Sequence, residues 1–141
     1  MLKVFFDASV LFSAIYSGRG GSNQLCRLVK DKKIKGFTTQ TVVLELQTNI
    51  AKFSKRTKVS PANFIADHHF LVRSEIAERE IKHYKTIVVA KDAHVLAGAL
   101  LCKCEYLLTL DKKHLDNKGV KNKFSEVIIA SPKEFLQYFR R

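Results

Sequence analysis

A chain of 141 residues that is 46% apolar can bury one hydrophobic core without disulfides or a structural metal, and its composition excludes a disordered polymer. Its 25 lysines and arginines stand against 13 aspartates and glutamates, a net charge of +12, which directs the surface toward polyanions, nucleic acid before acidic membranes. Three cysteines without CxxC spacing, Cys26, Cys102 and Cys104, argue against a disulfide framework or a zinc ribbon.

The first element in chain order is Leu2–Phe6, an apolar run ending at Asp7 that predicts a buried strand. It lacks the long apolar core of a signal peptide, and no later stretch is apolar enough to span a bilayer, so the expected location is the cytoplasm. Ala8–Tyr16 is apolar at helical spacing, and Ser17–Gly21 (SGRGG) is a loop. Ser22 is expected to cap a helix to about Lys30 with Leu25, Leu28 and Val29 inward. Ile34–Thr38 predicts the next strand. Thr39 or Thr41 opens a helix to about Ser54, with Val42, Val43, Leu46, Ile50 and Phe53 on its apolar face.

Ser60 followed by Pro61 is a helix start, and that helix is expected to carry Phe64, Ile65, His68 and Leu71. Ser74–Tyr84 reads as a charged helix, and Thr86–Val89 as a short strand or an extended link. Lys91–Cys102, rich in Ala and Leu, is a helix; Glu105–Thr109 is a strand leading to Asp111; Gly119 marks a basic loop; Val127–Ala130 is the last strand. Ser131-Pro132-Lys133-Glu134 has the form of a capping box and opens a terminal helix with Phe135, Leu136 and Phe139. Strands alternating with helices predict an α/β fold, a single domain over residues 1–141. Its form is a three-layer sandwich, a mostly parallel sheet with helices on both faces.

In such sheets, sites form beyond the carboxyl ends of the strands. Asp7 follows the first strand, and Asp111 follows YLLT after Leu110. If the two strands are neighbours, these carboxylates face one crevice. Asp92 opens a helix, where an aspartate is also a favourable N-terminal charge. Glu45 lies mid-helix on the border of an apolar face, where a carboxylate is costly unless paired or bound to a metal. Four converging carboxylates require a cation, and hard oxygen donors select Mg²⁺ or Mn²⁺ over Zn²⁺. Acids that hold a metal inside a basic protein suit phosphodiester hydrolysis. The lysines cluster at Lys30, Lys32, Lys33 and Lys35, at Lys52, Lys55, Arg56 and Lys58, and at Lys112, Lys113, Lys118, Lys121 and Lys123. Of these, Lys112, Lys113 and Lys118 follow the last acid and are expected to contact the phosphates of a nucleic-acid backbone. None of the clusters lies on a long helix with a bulky apolar back, which argues against a membrane-surface helix.

The ordered segments DASVLFSAI (Asp7–Ile15), VVLEL (Val42–Leu46), KDAHVLAGAL (Lys91–Leu100), LLTLDKKHL (Leu107–Leu115) and IIASPKEFL (Ile128–Leu136) resemble the PIN-domain family over nearly the whole chain. The similarity is closest to bacterial and archaeal members that include toxins of toxin–antitoxin pairs. The resemblance implies an endoribonuclease that cuts single-stranded RNA with Mg²⁺ or Mn²⁺ held by Asp7, Glu45, Asp92 and Asp111. It places a small polar residue at Ser9, a hydroxyl at Thr109 and a further outer ligand at Asp116. It also implies a small antitoxin partner and, by analogy, a homodimer.

Other chemistries lack their motifs. No GxGxxG follows the first strand, no GxxxxGK[ST] loop occurs, and Ser9 stands where an aspartyl phosphatase carries its second aspartate. The five histidines include no HExxH, and His94 falls roughly across its helix from Asp92, so all five read as surface or core residues. Two alternatives stay open: a non-catalytic PIN-like RNA-binding or scaffold protein, and a nuclease acting on DNA.

Overall fold

Strands and helices alternate along residues 1–53 and 59–140, the part of the chain that the computed structural model describes. Lys55, Arg56 and Lys58 of the second basic cluster, and the helix end expected at Ser54, lie outside the described residues. Strand β1 (Lys3–Phe6) leads into α1 (Ala8–Tyr16) and α2 (Gly21–Lys30), and β2 (Lys35–Thr39) into α3 (Gln40–Lys52) and α4 (Pro61–Asp67). The edge strand β3 (Leu71–Arg73) is followed by α5 (Glu78–Ile81), 3-10 turns at Lys82–Thr86 and Ala90–Asp92, and α6 (Ala93–Leu101). Then come β4 (Tyr106–Leu108), α7 (Lys118–Lys123), β5 (Ile128–Ala130) and α8 (Pro132–Phe139).

Side-chain caps fix several helix starts. Thr39 Oγ1 accepts from Val42 N, Ser60 Oγ from Asn63 N, and Ser131 forms the expected capping box with Glu134. The cap of α2 differs from expectation: Gly20 holds that position and Ser22 is buried within the first turn. Phe53 does not join the core of α3 but stands 50% exposed at its end. Leu71 is not on α4, which stops at Asp67; it belongs to β3, whose Leu71 and Val72 are both exposed. Ser74–Tyr84 yields only α5 and part of a 3-10 turn, and Thr86–Val89 forms no strand. Gly119 lies within α7 rather than in a loop, because Asn117 Oδ1 accepts from Val120 N and starts a helical turn there.

The five strands are all parallel, in the order β3-β2-β1-β4-β5. Such a sheet needs cover on both faces. Phe6 meets Phe70 edge to face and Tyr106 meets Phe135 of α8, while the opposite face carries α6 against Phe5. Helix α6 approaches so closely that a Cβ on Gly98 would lie 3.0 Å from the Phe5 ring and from Thr39 Cγ2. Helices α2, α4 and α6 share one ending. Lys32, His69 and Lys103 take left-handed φ values of 59°, 63° and 58°. The following amides, Lys33, Phe70 and Cys104, bond back to Leu28, Ile65 and Ala99. This is the Schellman arrangement, and each instance turns the chain into the next strand. Among the described residues, no helix is long and apolar enough to cross a membrane.

Candidate active site

The chain steps from β1 to β2 in one direction and later returns past β1 to β4, so the strand order reverses at β1. The crevice beyond the carboxyl ends of β1 and β4 is therefore the place where an open parallel sheet binds ligands. Register pairs Phe6 with Leu108, which sets Asp7 beside Thr109. The adjacency that makes Asp7 and Asp111 share a crevice is thus present.

Asp7 caps α1 and is only 8% exposed. Its Oδ1 accepts from Ala8 N at 2.8 Å, and its Oδ2 accepts from Thr109 Oγ1 at 2.7 Å and Ser9 Oγ at 3.1 Å. Burial pushes its carboxyl above the ordinary value; these three hydrogen bonds oppose the rise, and the nearby Glu45 charge adds to it. Ser9 and Thr109 also accept from the Leu110 and Asp111 amides, at 3.1 Å each. The two hydroxyls therefore clasp the first acid to the loop that carries the last one.

Asp92 ends the second 3-10 turn and starts α6. Its pKa is raised by burial, then by the charges of Asp111 and Glu45, against the opposing pull of Lys91 and His114. Asp92 Oδ2 is buried and has no hydrogen-bond partner. Asp111 behaves oppositely. Partial burial pushes it up, but hydrogen bonds from the His114 backbone N–H (2.9 Å) and ring Nδ1 (3.1 Å), with the charges of His114 and Lys91, hold it below the ordinary value.

Asp92, Asp111 and His114 each offer a donor atom, and the three atoms lie within 4.8 Å of one another. Glu45 reaches the same neighbourhood from α3, since its charge acts on both Asp7 and Asp92. Its Oε1 lies 2.8 Å from His94 Nε2, an ion-pair distance without hydrogen-bond geometry. Asp116 does not join the converging donors: its Oδ1 pairs with Lys121 Nζ at 2.8 Å. Lys112, Lys113 and Lys118 are exposed on the same loop and on α7, without ion pairs among the described residues.

Reading the histidines only for mutual spacing misses two residues. His94 meets Glu45, and His114 holds Asp111. The second has a local signal, since an aspartate three residues before a histidine, in a turn, can accept both its N–H and its ring. The first has none, because α3 and α6 meet only in the folded chain.

A buried carboxylate oxygen without a hydrogen-bond partner, beside a second carboxylate and an imidazole, is a donor set suited to a divalent cation. Residues 3–113 match a family model described as PIN domain. The chain belongs to the PIN-domain family. Three solved structures share the fold seen here. VapBC2 from Rickettsia felis, bound to a DNA fragment from their promoter, is 14% identical over 92% of this chain and 98% of that one, with a TM-score of 0.63. PAE2754 from Pyrobaculum aerophilum is 15% identical over 99% and 90%, with a TM-score of 0.61. FitAB bound to an IR36 DNA fragment is 13% identical over 92% and 94%, with a TM-score of 0.57. No curated protein matched. The PIN match ends at Lys113, so it contains Asp7, Glu45, Asp92 and Asp111 and stops before His114.

Proposed function

We propose that residues 1–141 form one PIN-like nuclease domain, a cytoplasmic endoribonuclease that hydrolyses phosphodiester bonds of single-stranded RNA with Mg²⁺ or Mn²⁺. The observation that carries this reading is the convergence of Asp92 and Asp111 at the sheet's switch point, with Asp92 Oδ2 buried, without a hydrogen bond and 3.8 Å from His114 Nδ1. Asp92 and Asp111 would hold the cation, with Asp7 and Glu45 completing the negative pocket. A bound ion supplies Lewis acidity toward a phosphoryl oxygen and toward water. The chain's own residues do the positioning. Ser9 and Thr109 fix Asp7, His114 fixes Asp111, and His94 stands against Glu45. Lys112, Lys113 and Lys118 attract the RNA backbone. The toxins within the family, together with the DNA-bound VapBC2 and FitAB structures, support a role as the toxin of a toxin–antitoxin pair. The same analogy supports a small antitoxin partner and a homodimer.

The test compares wild type and Asp111→Asn on single-stranded RNA and DNA oligonucleotides, in EDTA, Mg²⁺ and Mn²⁺. Wild type should cut RNA only with metal, and the variant should bind RNA without cutting it. Mn²⁺ should also stabilise wild type by about 2.7 kcal/mol at a hundred times its dissociation constant, and the variant much less. RNA bound but uncut under every condition would convert the reading to a scaffold. Cleavage confined to DNA would redirect it to a DNA nuclease.

A further inference from the structure

Two side-chain stripes run away from the acids along the facing helices α1 and α3, which pack together. On α1, Ser9, Phe12 and Tyr16 follow one another at helical spacing; on α3, Glu45, Asn49 and Phe53 do the same. Each stripe begins at the acidic centre, with Ser9 bonded to Asp7 and Glu45 acting on Asp7 and Asp92, and each ends in an aromatic ring. Phe12 stacks on Tyr16 at 5.2 Å and 16°, and Phe53 stands edge-on to both, at 5.6 and 6.1 Å. A cavity of about 260 Å³ opens between the stripes, lined by Ser9, Phe12, Asn49 and Phe53. Phe53 is 50% exposed, and the Asn49 side-chain amide has no partner among the described residues.

We propose that this cavity is a nucleobase subsite, in which an unpaired base of the RNA stacks against Phe53 and Phe12 while the Asn49 amide bonds its edge. The inference rests on the nuclease reading above. An apolar slot with one amide donor and acceptor suits a base, which has a π face and a polar rim. The slot is continuous with the acidic centre through Ser9, so the strand whose phosphate lies at the acids can place a neighbouring base in it. The net charge of +12 draws that strand to the surface, and the aromatic faces hold it without regard to charge. From the helical rise, Asn49 stands about 6 Å and Phe53 about 12 Å along α3 from Glu45, so the slot selects a base near the cleaved bond rather than a distant one.

The experiment measures RNA affinity in the Asp7→Asn background without divalent cations, using oligoribonucleotides with one 2-aminopurine and matched oligomers with one abasic position. Phe53→Leu keeps an apolar side chain over Phe12 and Tyr16 but loses the π face. It should weaken binding of the intact oligomer about five- to a hundredfold and relieve the 2-aminopurine quenching. Its effect should vanish on the oligomer whose abasic position removes the stacked base. Asn49→Ala should weaken binding less and change which base is preferred, and Phe53→Trp should retain both affinity and quenching. Unchanged affinity and absent quenching, in variants whose melting matches the parent, would overturn the subsite and leave the nuclease reading standing. No RNA binding by the parent at low salt would overturn both. A Phe53→Leu protein that changes its sedimentation as an oligomer while its RNA affinity holds would assign the patch to a second copy of the chain.

Discussion

The Asp7 carboxylate is held by three hydrogen bonds, yet burial still raises its pKa above the ordinary 3.8. A folded-state pKa above the unfolded one means that the native protein keeps its proton longer. Stability from this group therefore falls as pH rises from 3.8 through the raised value, and the deficit is complete above it. Asparagine caps a helix as well as aspartate and carries no charge. In EDTA at pH 7, Asp7→Asn should melt above wild type, and the gap should close as pH falls below 3.8. Melts between pH 3 and 7 check this, and a gap that persists at pH 3 would show that charge is not its cause. Thr109 is a different case. Its hydroxyl donates to Asp7 and accepts from the Asp111 amide, so it orients an acid rather than a ligand. Thr109→Val should lower cleavage about 10- to 100-fold and leave the near-ultraviolet spectrum native. Unaltered cleavage would reduce the residue to a strand former. Asp7, Asp92 and Asp111 were legible in the sequence because each ends or opens an apolar element, and Glu45 because a carboxylate stands mid-helix beside an apolar face. His94 was not, because its partner Glu45 lies 49 residues earlier on another helix.

At the scale of elements, the sequence displayed what local chemistry dictates. Ser60-Pro61, Thr39 and the Ser131 box start helices wherever they occur, and buried parallel strands show as apolar runs. What it hid depends on partners. Leu71–Arg73 is a strand only because Thr38 and its neighbours on β2 offer an edge to pair with. Gly119 reads as a loop until Asn117 caps the turn around it. Phe53 looks like core by periodicity, but it caps the end of α3 and packs half-exposed against Phe12 and Tyr16 of α1. The left-handed turns after α2, α4 and α6 gave no glycine signal, since Lys32, His69 and Lys103 occupy the position that glycine favours. A side chain there costs about 1–2 kcal/mol, partly offset by the flexibility glycine adds to the unfolded chain. Lys103→Gly should therefore raise stability by about 0.5–1 kcal/mol, read as an increased midpoint in urea with an unchanged slope. A lowered midpoint would show that the lysine is held there by something other than backbone geometry.

For the whole molecule, the charge of +12 would set how strongly the proposed RNA substrate is held. Each phosphate contact should add about 0.7 to the slope of log affinity against log salt for a single strand. Replacing Lys112, Lys113 and Lys118 with Gln should flatten that slope by up to about 2, as measured by titration from 50 to 300 mM salt. An unchanged slope would route the strand over the other lysine clusters. The sheet order imposes one more condition. The central strand β1 leaves the ribosome before its partner on the acid-bearing side, β4, which is synthesised about a hundred residues later and sets Tyr106 beside Val4. Closing a loop of that length is entropically slow. A nascent chain halted between Asp92 and Thr109 holds three of the four acids but lacks Asp111, so the proposed site can form only once synthesis has passed β4.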